Sequence, residues 1–197
     1  MEFYVNGNKI DITIENEKTI GDVLRSFEEE CAKHDATTIT IFVDETQVLA
    51  TNFDMIASQP LKDDTKIELG VVSQADVIDA LKQEAAQSRS VAEAFEQLPM
   101  LFQSNKDKEA HDVIKTFTDL FDSICHTYSL STLFPDLHTK IVIDGKNFAD
   151  FFADISSVLP EFEQALKAKD TVLVGDLAEY ELSPRLIAFA DTMEQQK

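Results

Sequence analysis

Thr65-Lys66-Ile67-Glu68-Leu69-Gly70-Val71-Val72-Ser73-Gln74-Ala75-Asp76-Val77-Ile78-Asp79-Ala80-Leu81 is the stretch in which the chain changes its hydrophobic period. Ile67, Leu69 and Val71 alternate with other residues, the period of two that a strand with one buried face requires. From Ile78 onward the apolar residues fall three and four apart, through Leu81, Ala85, Ser88, Ala92 and Phe95, which is the period of a helix. The switch lies at residues 72–74 and predicts two domains, 1–73 and 74–197, in an α+β chain.

On the N-terminal side, Phe3 and Val5 alternate with polar neighbours, Gly7-Asn8 supplies a tight turn, and Ile10, Ile12 and Ile14 resume the alternation, which predicts a β-hairpin. Thr19 with Asp22 forms a shortened capping box ahead of Ile20, Val23, Leu24, Phe27 and Cys31, the apolar stripe of one helix that ends near residues 33–35. Strands are expected at 38–43, at 47–50 and at 65–72, with Pro60-Leu61-Lys62-Asp63-Asp64 as the turn before the last. With Lys18-Thr19-Ile20-Gly21-Asp22-Val23 at the helix start and Leu61-Lys62-Asp63-Asp64-Thr65-Lys66-Ile67-Glu68-Leu69 near the end, this order resembles the ubiquitin-like, β-grasp domains. The resemblance implies a docking module. Conjugating and sulfur-carrying members end in a free Gly-Gly, whereas here Gly70-Val71-Val72 continues into the next domain, so conjugation and sulfur transfer are not implied.

On the C-terminal side the helical spacing recurs three more times. Ile114, Phe117, Phe121, Ile124 and Tyr128 form one seam, Phe148, Phe152, Ile155, Leu159, Phe162 and Leu166 a second, and Leu173, Leu177, Tyr180, Pro184 and Ile187 a third. Four such seams predict an antiparallel four-helix bundle with helices of about 22 residues, or ~33 Å. Pro160 and Pro184 lie within the seams and predict kinks in continuous helices. Helix starts are expected at Ser73 with Asp76, at Ser104 or Asn105, at Asp144 or Asn147, and at Asp170 or Thr171. Residues 129–146 form a long connection that is rich in apolar residues, including Leu130, Leu133, Phe134, Leu137 and a strand-like Ile141-Val142-Ile143. It either packs back on the helices or meets a partner.

Charge narrows the function. The 37 acidic residues against 17 basic ones leave a formal charge of −20, and the two halves share it, 15 against 6 in residues 1–73 and 22 against 11 in residues 74–197. Such a polyanion neither neutralises phosphates nor adheres to an anionic membrane, so nucleic acid is not an expected partner. With 44% hydrophobic residues, 14 Phe and only 5 Gly and 5 Pro, the chain has the material for a core. Residues 1–14 alternate in polarity and resemble neither signal peptide nor anchor, and no apolar run approaches the ~18 residues of a membrane span. Two distant cysteines, Cys31 and Cys125, on helical patterns fit reduced thiols and a cytoplasmic location.

No catalytic signature is present: there is no Gly-rich phosphate loop, nucleophile elbow or His-Glu-x-x-His. His34, His111, His126 and His138 are scattered, and Cys31 with His34 would need Cys125-His126 from the other domain to complete a zinc site. Adjacent residues on a helix diverge by about 100°, which opposes chelation. Asp150 and Asp154, and the group Asp176, Glu179 and Glu181, invite comparison with carboxylate-metal bundles, but inward Glu and Glu-x-x-His motifs are missing. These carboxylates are read as a solvated face, and Tyr180 as a structural residue on the seam. No metal, no cofactor and no enzymatic activity are expected.

What remains is Leu98-Pro99-Met100-Leu101-Phe102, expected after the first long helix, where Met and Phe are exposed unless covered. It is either a plug at one end of the bundle or a docking edge for an apolar helix or strand, extended by Leu133 and Phe134. Met100, Leu101, Phe102, Leu133 and Phe134 are therefore the candidate partner-binding residues. The expected function is a non-enzymatic adaptor or chaperone-like factor for a protein partner that is basic or carries an apolar helix; the Phe-rich loops also allow a homodimer. Small acidic helical chaperones share its size and charge, by analogy alone. The alternatives are an acidic nucleic-acid mimic that blocks a DNA-binding protein, and a carboxylate-metal enzyme.

Overall fold

The computed structural model describes residues 1–195. These fall into two compact units, Met1–Asp76 and the chain from Val77 onward, and combine a five-stranded sheet with a mostly helical remainder. No helix among the described residues is long and apolar enough to cross a membrane.

In the first unit, Thr19 accepts a hydrogen bond from the Asp22 backbone N–H at 3.1 Å while Asp22 Oδ2 accepts from the Thr19 N–H at 3.0 Å, and this capping box starts α1 (Ile20–Ala32). The strands are β1 (Glu2–Val5), β2 (Asn8–Lys9), β3 (Ala36–Val43), β4 (Thr46–Gln47) and β5 (Lys66–Ser73), in the order β2-β1-β5-β3-β4. β1 runs parallel to β5 and β3 antiparallel to it, so Phe3, Ile67 and Val43 lie side by side on one face. Ile20, Val23 and Leu24 of α1 cover that face, and Ile56 of a short α2 (Phe53–Ala57) closes the core. A side chain at Gly21 would put its Cβ 2.9 Å from the Ala57 carbonyl oxygen, so this close approach of α1 to α2 needs glycine.

Two expectations for this unit change. The hairpin stops pairing at Lys9, not Ile14. Ile10 donates a last bond to the Phe3 carbonyl at 2.9 Å, after which Ile10 and Ile12 pack partly buried against the core, so their alternation reflects packing and not a ladder. The fourth strand is Thr46–Gln47 instead of residues 47–50, because Asp44 and Glu45, both at positive φ, turn the chain early. α2 is too short for its period to show in the sequence.

The second unit is built on α3 (Gln74–Gln103), α4 (Asp107–Ser131), a short α5 (Pro135–His138), the hairpin β6–β7 (Val142–Ile143 and Lys146–Asn147), α6 (Phe148–Ala168), α7 (Thr171–Asp176) and α8 (Ser183–Gln195). α3 and α4 are antiparallel: Phe95 meets Phe117, with ring centroids 5.1 Å apart, while Glu84 meets Ser123 and Thr127. α4 and α6 are antiparallel in the same sense, with Phe117 on Phe162 and Phe121 on Phe152. α8 returns along both α6 and α3, through Phe189 on Phe151 and Arg89 on Asp191 and Glu194. Asn147 and Asp170 cap α6 and α7 through the N–H groups of Asp150 and Leu173. α4 starts after Lys106 without a side-chain cap, not at Ser104 or Asn105.

Three further expectations change here. α3 does not end before Leu98: it runs through Pro99 to Gln103, so Met100, Leu101 and Phe102 belong to a helix and not to a loop. Pro99 supplies no N–H to the Phe95 carbonyl, and its ring packs against Gly175, where a Cβ would lie 3.0 Å from Pro99 Cγ. Second, Tyr180 is not on the buried seam. The helix from α7 to α8 passes through a π-helical turn, Leu177–Leu182, just ahead of Pro184. Leu177 and Ala178 are buried at the start of that turn, and its extra residue shifts the next buried positions to Leu182 and Leu186, leaving Tyr180 65% exposed. Third, α6 buries Phe148, Phe151, Ile155, Val158, Phe162 and Ala165, whereas Phe152, Leu159 and Leu166 are half-buried. Two apolar stripes adjoin on this helix, and only one is fully covered. The connection at 129–146 packs inward, with Leu137, Ile141 and Ile143 buried.

Candidate functional site

The second, half-covered stripe of α6 faces a matching one on α4. At the end near the hairpin, aromatic rings fill the space between them: Phe152 stacks on Phe121 at 5.3 Å and on Tyr128 at 5.0 Å, and Tyr128 meets Phe148 edge-on at 4.9 Å. Toward the other end the ladder stops. Thr118 on α4 and Ser156 and Pro160 on α6 are too small to close the gap, and an apolar groove of ≈ 380 Å³ opens. Its floor is Phe117 and Phe162, both buried, and its walls are Ile114, Phe121, Leu159 and Leu166. Glu163 stands on one wall. Pro160, inside the helix, gives no N–H to the Ser156 carbonyl, which therefore lacks its i+4 donor.

Two ion pairs lie on the helices that bound the groove. Lys115 and Lys167 are engaged by Asp119 at 2.9 Å and Glu163 at 2.7 Å, one helical turn away in each case. Asp122, exposed beside Phe121, has no cation within ion-pair distance among the described residues.

A different kind of polar group lies between α3 and α4. Glu84 is 4% exposed; its Oε1 accepts hydrogen bonds from Ser123 Oγ and Thr127 Oγ1, both at 2.7 Å, while its Oε2 has no partner. Burial pushes this carboxyl above the usual carboxylate range, and the two hydroxyl bonds and nearby His126 offset only part of that rise. Asp154 shows the reverse. It is not on a solvated face: its Oδ2 takes Lys146 Nζ and Arg185 Nε, each at 2.9 Å, tying the hairpin and α8 to α6. Hydrogen bonds from Lys146 and then Arg185 hold its carboxyl below the usual range.

The five sequence-derived candidates do not form one surface. Met100 is 63% exposed on the last turn of α3, and Leu101 and Phe102 are half-buried beside it. Leu133 is 46% exposed just past the end of α4, but Phe134, the residue before α5, is buried. Since α3 and α4 are antiparallel, Leu133 lies level with the start of α3, about 35 Å of helix away from Met100. Among the described residues, no group of three or more His, Cys, Asp or Glu is placed to hold a metal ion. Cys31 is buried and Cys125 partly so, and both are free thiols.

The groove was missed because Phe152, Leu159 and Leu166 carry the same spacing as a buried seam. The small residues Thr118 and Ser156 and the mid-helix Pro160 were the signal that the seam is not filled.

Residues 1–73 match the family described as TP0873 N-terminal domain, and residues 79–192 match the domain of unknown function DUF8042. An uncharacterized protein of Treponema pallidum (strain Nichols) is 31% identical over 184 residues, covering 93% of this chain and 92% of that protein. No solved structure matches the chain. By the span of its second unit and this full-length relative, the chain belongs to the DUF8042 family.

Proposed function

We propose that the chain is a non-enzymatic protein-interaction module, an adaptor or chaperone-like factor acting in the cytoplasm. Its first unit is read as a β-grasp, ubiquitin-like domain. The strand order β2-β1-β5-β3-β4, with β1 parallel to β5 and α1 between β2 and β3, supports that reading. Its second unit is read as an antiparallel four-helix bundle, supported by the pairwise antiparallel contacts of α3, α4, α6 and the α7–α8 segment. Two free thiols suit a reducing compartment.

The observation that carries the functional reading is the α4–α6 groove. Phe117 and Phe162 floor an apolar cleft that is open to solvent on a chain with formal charge −20, and a cleft of this kind is a place for a partner's apolar side chains. Charge of this size steers oppositely charged partners and speeds their encounter. The test is to purify the full chain from its own cells, identify what co-purifies, and reconstitute the pair from purified components. A defined complex that weakens as salt rises is expected; failure of every co-purifying protein to bind at low salt overturns the reading.

A further inference from the structure

We infer that the α4–α6 groove receives an amphipathic helix from a partner protein, one whose apolar face spans two to three turns and is flanked by Lys or Arg. This rests on the interaction reading above and specifies its occupant.

The geometry selects a helix. The groove runs from Ile114 to Phe121 on α4 and from Ser156 to Leu166 on α6, about 10 Å and 15 Å at 1.5 Å per residue. That length takes two to three turns of a guest whose anchors recur at i, i+3 or i+4, and i+7. The volume lies within the range of binding clefts, ~300–1,000 Å³. Two antiparallel helices offer a trough into which the side-chain ridge of a third fits. An extended peptide is the poorer guest. It would bring a row of backbone N–H and C=O groups to walls made of helices that satisfy their own backbones, and would find a single acceptor lacking its donor, the Ser156 carbonyl. A guest helix satisfies most of its backbone internally.

Charge selects what flanks the apolar face. Glu163 stands on one wall, and Asp122 is exposed next to Phe121 on the other helix, within residues 74–197 and their 22 acidic against 11 basic side chains. The nearby lysines, Lys115 and Lys167, are already held by Asp119 and Glu163, so Asp122 is the carboxylate left to receive a cation. A second copy of the chain fits badly, since residues 74–197 carry 22 acidic against 11 basic side chains and two such units repel.

The test uses the full chain and three labelled synthetic peptides of about 18 residues, matched in length to the groove with flanking turns. The first has Leu at the anchor positions and Lys elsewhere. The second has the same composition in scrambled order, and the third has Glu in place of Lys. Fluorescence anisotropy is expected to show the first binding at least about tenfold more tightly than either of the others, a difference of ~1.4 kcal/mol. Two variants are then compared: Thr118→Trp, which puts bulk at the groove mouth from an exposed position, and Asp122→Lys, which reverses the rim charge without touching the core. Each is expected to weaken the first peptide about tenfold while keeping the parent melting temperature.

Equal binding of the scrambled peptide reduces the interaction to adsorption on an acidic surface and overturns the inference. So does equal binding of the Glu peptide, or full binding by Thr118→Trp. The co-purifying protein is titrated alongside. If it binds and its binding is indifferent to both variants, the interaction reading stands and the groove assignment fails; if nothing binds, both fail.

Discussion

Replacing Glu84 by Gln should make the protein more stable at neutral pH and remove part of its pH dependence. Glu84 is 4% exposed, Oε1 is held by Ser123 and Thr127 at 2.7 Å each, and Oε2 has no partner, so ionisation places charge in a desolvated site that those two bonds only partly compensate. The folded chain therefore keeps this proton at a pH where the unfolded chain has released it. Because the folded state binds more protons, stability falls as pH rises above the unfolded value of 4.5, and continues to fall until the raised folded value is passed. Within that window one extra bound proton is worth up to ~1.4 kcal/mol of stability per pH unit. Gln keeps the carbonyl that accepts both hydroxyls and has no proton to lose. Urea unfolding of both proteins from about pH 5 to about pH 8 should show the variant gaining on the parent as pH rises, with equal m-values. The comparison isolates Glu84 from carboxylates shifted the other way, such as Asp154. A stability difference that stays flat with pH, or that turns against Gln as pH rises, refutes the argument.

Phe95 is fully buried between Phe117 and Phe162, so Phe95→Ala should cost ~3–5 kcal/mol of unfolding free energy in a denaturant titration. Phe134→Ala, at a buried residue, should cost ~3 kcal/mol or more, whereas Met100→Ala at an exposed one should stay within about 0.5 kcal/mol; equal effects would contradict the burial described. Thr19→Ala removes one half of the α1 capping box and should cost ~1 kcal/mol in the same titration. Asp154→Asn weakens the ties from Lys146 and Arg185 and should flatten the loss of stability on acidification, since a carboxyl held below its usual range contributes stability above its unfolded value that is lost as pH falls.

Local chemistry was legible in the sequence, and contacts between distant segments were not. The Thr19–Asp22 box, the Ser73–Asp76 start of α3 and the alternation of Ile67 and Leu69 depend on neighbours a few residues apart, and each takes the form its spacing implies. Tyr180 turned outward because the π-helical turn before Pro184 depends on how the whole segment packs, and a fixed helical period cannot anticipate it. On α6, Phe152, Leu159 and Leu166 have the spacing of a core seam. Only the neighbouring helix decides that the Phe151, Val158 and Ala165 stripe is covered and theirs is half-open. Glu84 reads as one acidic residue among many until α4 brings Ser123 and Thr127 to it, 39 and 43 positions away. Pooling Met100 with Leu133 and Phe134 failed for the same reason, because the antiparallel path of α3 and α4 separates them.

Hydrogen exchange of the full chain, alone and in complex with a reconstituted protein partner, tests most directly the claim that it works by docking a partner helix between α4 and α6. Slowed exchange confined to residues 114–121 and 156–166, fading as salt is raised, is the predicted result. A tight complex that leaves both segments exchanging as they do in the free chain would contradict it.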